Sequence, residues 1–104
     1  MMKASTKIFT AQVGAKQVNV TLIGETLYSD AYNGACYFSK VRGQYKVNSR
    51  FSQDGIIYEA DGCAKTQHGV IDLFFAEMRV AAEQIEAARA EFELNNYEHT
   101  KADW

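Results

Sequence analysis

The strongest constraint in this 104-residue chain is a change of hydrophobic period. Before "DGCAKTQHG" (61–69), apolar residues recur at every second position. After it, they recur at alternating steps of three and four. A period of two belongs to strands with one buried face, and a period near 3.6 to a helix with one buried stripe. The expected fold class is therefore α+β: an antiparallel β-meander of about five strands followed by one long C-terminal α-helix packed on one sheet face. Strands are expected within about 6–61 and the helix over about 64–96, with a short tail, all in one domain spanning 1–104.

In the first half, "KIFTAQV" and "VNVTLI" alternate. A four-residue loop 14–17 would set Val13 opposite Val18, Ala11 opposite Val20 and Phe9 opposite Leu22, all on one face. The stretch "YFSKVRGQYKVNSRF" reads as a second hairpin. A three-residue loop, Arg42-Gly43-Gln44, pairs Val41 with Tyr45 and puts Tyr37 and Val47 on the core face. A two-residue loop would set Lys40 beside Tyr45 and exchange the faces, so the apolar pattern favours three. The Asp54-Gly55 turn then pairs Phe51 with Tyr58, Ser49 with Ala60 and Arg50 with Glu59. The segment 27–32 resists placement; Asn33-Gly34 marks a turn.

In the second half, Ile71, Phe74, Met78, Ala81, Ile85, Ala88 and Phe92 form the stripe. About 30 residues make a helix of roughly 45 Å, whereas five strands span only some 20–25 Å. The helix is therefore expected to overhang, with Ile85, Ala88 and Phe92 as the stripe of a symmetric homodimer.

Composition narrows the function classes. Apolar residues are 47% and charged residues 23%, as in folded globular domains. No apolar run approaches the length of a membrane span, so no membrane role is expected. The start "MMKASTK" carries no apolar core of a secretory signal, and two cysteines fit a reducing compartment, so the expected location is cytoplasmic. Residues 1–62 hold seven Lys/Arg against five Asp/Glu, and 63–104 hold four against eight. The back half is acidic.

Cys63 and His68 first suggest chemistry. A zinc site needs about four ligands, and the predicted register puts Cys36 roughly 16 Å from Cys63. Neither a metal site nor a disulfide is expected. A Cys–His nucleophile pair would need an orienting group and an oxyanion donor, and neither is identifiable. No phosphate-binding, zinc-protease or hydrolase motif occurs. No catalytic residue, cofactor or metal is therefore expected, and Cys63–His68 reads as a junction capped by Asp61 or Thr66.

Two functions remain. The first is a small non-enzymatic protein-interaction module, dimeric, presenting Glu83, Glu86, Glu91 and Glu93 to a basic protein partner. An inhibitor of a nucleic-acid-handling enzyme or host-defence complex, of phage or mobile-element type, has that form. The alternative is a single-stranded nucleic-acid-binding protein. Under the predicted register Lys40 faces Lys46 beside Arg42, which is an unfavourable like-charge pair. Phe38 and Tyr28, with Tyr32, would join them on the outer face as stacking partners.

Overall fold

The computed structural model describes residues 7–102, with side chains to residue 91. Six strands form one antiparallel meander: β1 (Lys7–Val13), β2 (Lys16–Ile23), β3 (Thr26–Ser29), β4 (Ala35–Val41), β5 (Gln44–Gln53) and β6 (Ile56–Ala64). Each pairs only with its sequence neighbours. One helix, α1 (Gln67–Ala102), follows and packs on one face. The expected architecture is present with one more strand, β3, which occupies part of the segment that the alternation left unplaced.

Turn geometry fixes the register. Arg42-Gly43 joins β4 to β5 with φ of 55° and 84°, and Asp54-Gly55 joins β5 to β6 with φ of 55° and 80°. Two positive φ values in a two-residue loop are the mirror-image turn that matches strand twist. Gly14-Ala15 closes β1–β2, with only Gly14 at positive φ (64°). That hairpin is thus two residues tighter than expected: Ala11 faces Val18 and Phe9 faces Val20. A shift of two preserves the faces, so Val13, Val18, Val20 and Leu22 are buried together as predicted.

The second hairpin differs by one residue, and this reverses a face. Val41 pairs with Gln44, Lys40 with Tyr45, Phe38 with Val47 and Cys36 with Ser49. Cys36 and Phe38 therefore point into the core, while Tyr37 and Val41 point out at 57% and 39% exposure. The physical reason lies in β3. Leu27 is completely buried and pairs with Cys36, so the inner row of β4 must begin at Cys36. The β5–β6 register is as expected, including Phe51 with Tyr58 and Arg50 with Glu59.

The helix starts where β6 ends. Thr66 caps it: its Oγ1 accepts from the Gly69 N–H at 3.0 Å, and its carbonyl from the Val70 N–H. Asp61 lies inside β6 and is not a cap. From there α1 runs back beside β6. Leu73 lies against Gly62, where an added Cβ would meet its Cδ2 at 2.8 Å. Further along, the Tyr58 hydroxyl donates to Glu77, and Arg89 reaches Asp54 at 3.1 Å. On its other side Arg79 Nε donates to the Gln12 carbonyl of β1 at 3.2 Å. The sheet thus curls until strands at both of its edges touch the helix.

The core is the space so enclosed. Phe51 stacks on Phe74 with centroids 5.2 Å apart and stands 6.4 Å from Tyr58. Leu27, Val70, Met78, Ala81 and Ile85 complete it. Here the expectation for the helix needs correction. Ile85 is fully buried within the chain, so it is no part of a free dimer stripe. The helix lies along the strands rather than across them, which lets 19 residues, Gln67 to Ile85, cover the sheet before the overhang begins. At 1.5 Å per residue the whole element is about 54 Å long, and the molecule measures 64 Å on its longest axis. No helix of the described residues is long and apolar enough to cross a membrane.

Candidate functional site: the open face of the sheet

A sheet has two faces, and α1 covers one. Among the described residues nothing packs on the other. Its make-up follows from the register. Every strand position on the outer face of β1 to β4 is Ile, Thr, Gln, Asn, Tyr, Ala, Ser or Val. None is charged. Ile8, Ile23, Tyr28 and Tyr37 stand out from it at 66%, 48%, 44% and 57% exposure. Tyr28 pairs with Ala35, which places Tyr37 on the diagonal, within reach of an aromatic side chain.

Most charges of this face collect on β5 and β6 and are largely answered there, while Asp30 and Glu25, in the turns flanking β3, add carboxylates beside Asn19 and at the Thr26 end. Asn48 donates to Asp61 at 2.7 Å, and Arg50 lies 3.6 Å from Glu59. Lys46 stands between Ser39 and Cys63. On the far side, Thr10 donates to Asn19 at 2.8 Å, and Asn19 is held in turn by Asp30. The twist of the sheet leaves an open trough of about 860 Å³ near the Arg42 end, lined by Thr26, Tyr37, Lys46, Asn48, Asp61 and Cys63.

The residues singled out from the sequence are dispersed. Phe38 is buried, and its ring meets Tyr45 edge-on at 5.7 Å. Lys40 and Lys46 are not cross-strand neighbours. Lys40 lies on the inner side with its ammonium 5.6 Å from the Tyr45 ring, and Lys46 lies on the outer side. The like-charge pair expected at this tip is absent because the loop is one residue shorter. Arg42 occupies the turn itself. Tyr32 is buried in the β3–β4 loop under the Lys16 ammonium, 4.8 Å from its ring. Of the proposed stacking platform, Tyr28 and Lys46 remain on one face. Tyr37, expected inside, joins them; the signal that could have found it is the burial of Leu27, which sets the β4 face through Cys36.

On the helix, Glu83, Glu86 and Glu91 are exposed and Ala88 is half-buried. Glu83 and Glu86 border a hollow of about 300 Å³ shared with Lys16, Arg79 and Tyr32, so their field is partly offset by two cations. Phe92 and Glu93 lie outside the residues whose side chains are described.

Cys63 and His68 do not meet as a site. Cys63 is an outer-face strand residue opposite Lys46, and His68 is in the first helical turn, 3.8 Å from Asp72. Cys36 sits on the inner face opposite Ser49, so the two thiols lie on opposite sides of the sheet, and both are free. Burial pushes the Cys36 thiol up to about 11, against the pull of the facing Ser49 hydroxyl. No group of three His, Cys, Asp or Glu among the described residues is placed to hold a metal ion.

Compared with protein-family models, curated proteins and solved structures, the chain matches none.

Proposed function

We propose that this chain is a non-enzymatic protein-interaction module whose working surface is the open face of the sheet. One observation carries the reading: four adjacent strands hold no charged residue at any outward position and expose two tyrosines and two isoleucines there. Depletion of charge and enrichment in tyrosine mark the centre of protein interfaces, with polar groups at the rim. The β5–β6 edge, with Lys46, Arg50, Glu59 and Asp61, supplies such a rim. The exposed carboxylates Glu83, Glu86 and Glu91 offer a second, charged contact to a basic partner. That combination suits an inhibitor that occupies the anion-binding surface of a nucleic-acid-handling enzyme.

The test compares three baits in the same lysate: the wild type, Tyr28→Asp with Tyr37→Asp, and Glu83→Lys with Glu86→Lys. Partners held by the wild type and lost only from the tyrosine variant support the open face. Partners lost only from the glutamate variant move the working surface to the helix and sink this reading.

A second reading, a single-stranded nucleic-acid binder, draws on Tyr28 and Tyr37 standing on the face that carries Lys46. Stacking with one nearby cation predicts weak, strongly salt-dependent binding. Fluorescence anisotropy of a labelled oligonucleotide decides it: no binding at low salt removes it.

A further inference from the structure

The open face raises a narrower question, what covers it, and its own chemistry answers. We propose that the partner is a second copy of this chain, packed sheet against sheet across a two-fold axis with both helices outward. This rests on the reading of the open face as an interface and goes beyond it by naming the occupant.

Three observations converge. The first is charge. A two-fold axis lays a patch on itself, residue i meeting j and j meeting i, so a patch of one sign repels its copy. The β1–β4 half carries no charge at any outward strand position, and the Asp30 carboxylate at its end is engaged by the Asn19 backbone N–H and side-chain amide, so self-pairing there meets little such penalty. The rim residues on β5 and β6 are two cations and two carboxylates, so the rim can meet its copy with opposite signs opposed. The second is hydrogen bonding. Outward Thr, Gln, Asn and Tyr side chains each both donate and accept, so a copy can satisfy a copy. A patch built only of acceptors could not do this.

The third is size. Six strands about 4.8 Å apart with seven residues at about 3.3 Å give a face of roughly 650 Å², or about 1,300 Å² over two copies. That is a ceiling, since a sheet curled round its helix is convex outward, and it reaches the low end of standard specific interfaces, about 1,200–2,000 Å². The uncharged half alone, roughly 450 Å² per copy, would be the dry centre. A sheet that curls around its helix presents a twisted outer surface, and two such surfaces meet with strands crossing near right angles. The exposed Tyr28 and Tyr37, close to the middle of β3 and β4, are the natural anchors.

Sedimentation equilibrium of the intact chain over a wide concentration range tests this. The expected wild-type mass is twice 11.7 kDa. Tyr28→Asp with Tyr37→Asp should raise the dissociation constant at least about 100-fold, since anchor residues of this kind dominate interface energies. Ile23→Lys, at another exposed outward position, provides a second disruption should the tyrosine pair disturb folding, which far-ultraviolet circular dichroism reports. A wild type that is monomeric throughout overturns the self-pairing; the bait comparison then judges the interface reading on its own. A dimer that survives both outer-face variants but dissociates in Phe92→Glu also overturns it, because the contact then belongs to the helix.

Discussion

The two faces of this sheet are built by the same strands from alternate residues, yet they obey different rules. The inner face is aliphatic and aromatic, and its middle is closed from water: Val13, Val18, Val20, Leu27, Cys36 and Phe51 are each 1% exposed or less. The outer face keeps half its bulk in Thr, Asn, Gln and Ser, yet leaves Ile8, Ile23, Tyr28, Tyr37 and Ile57 in solvent. Burial under α1 makes the inner face a matter of folding. The outer face contributes little to folding and is therefore free to serve something else. The difference shows that apolar residues in one strand can answer to two separate pressures, and the substitutions below probe each.

The largest contrast comes from matched aromatics. Phe51→Ala or Phe74→Ala removes half of a stacked pair from a closed core and should lower the unfolding free energy by about 3–5 kcal/mol. Against a typical total of about 5–15 kcal/mol, that leaves a marginal fold. Tyr37→Ala, on the outer face, should stay within about 0.5 kcal/mol of the wild type under conditions where the chain is monomeric. Urea denaturation of the three variants measures both. A large loss for Tyr37→Ala would mean that the outer face is structural after all.

A second effect comes from a glycine that the inner face needs. At Gly34, an added Cβ would meet the Phe51 ring at 2.8 Å and the Ser29 Cβ at 3.0 Å. The ring is pinned between Phe74 and Tyr58, so it has little room to give. Gly34→Ala should cost about 1–3 kcal/mol, as overpacked cores do. Denaturation of the single variant checks it.

How much of this was legible beforehand turns on particular residues. The period change at 61–69 indicates a meander and then a long helix, because burying one face leaves only those two periodicities. The β5–β6 register was equally readable, since Asp-Gly is a strong signal for a two-residue turn. The β4–β5 register was not. Cys36 and Phe38 on one side and Tyr37 and Val41 on the other offer β4 two apolar faces of similar weight. What decides between them is a non-local pairing, Leu27 with Cys36, through a strand of only four residues. The basic tip, and with it the stacking platform of Phe38, Lys40 and Lys46, depended on that one residue of register. The open face, uncharged along its strands, was visible only once the three registers joining β1 to β4 were fixed.

The two cysteines give the comparison a chemical form. Cys63 is exposed on the outer face, and Cys36 is completely buried on the inner one. A thiol reagent should label one cysteine of the native protein quickly and the second only as the chain unfolds; mass spectrometry of the peptides identifies which. Titration follows the same division. The Cys36 thiol sits at about 11, above its ordinary 9.0, because burial disfavours the thiolate. Burial, and then the hydrogen bond and charge of Glu77, raise the Tyr58 hydroxyl as well. A folded value above the unfolded one means that the contribution is whole below about pH 9 and is lost as pH rises towards 11. The denaturation midpoint should fall over that interval, and Cys36→Ala should flatten part of the fall. Equal labelling of both thiols in the native state would contradict the assignment of faces.

The smallest expected effect concerns the turn that decides which face is which. Arg42 holds a φ of 55°, a left-handed conformation that costs most residues with a Cβ about 1–2 kcal/mol. Asn tolerates it better, and Asn-Gly is the preferred pair for this turn type. Arg42→Asn should therefore stabilise the chain by about 0.5 kcal/mol. It should also leave Tyr37 exposed, because it strengthens the two-residue loop. Gln44→Gly does the opposite: it permits the three-residue loop 42–44, in which Val41 pairs with Tyr45, Tyr37 turns inward and Phe38 outward. That register would tear Cys36 from Leu27 and bring the Lys40–Lys46 repulsion into being, so Gln44→Gly should destabilise the chain without changing its faces. Amide hydrogen exchange along β4 distinguishes the two loops, since a one-residue slip exchanges which of its N–H groups are protected. Protection moved by one residue in Gln44→Gly would show that the turn alone sets the face. Protection unchanged would show that the β3 pairing overrules it.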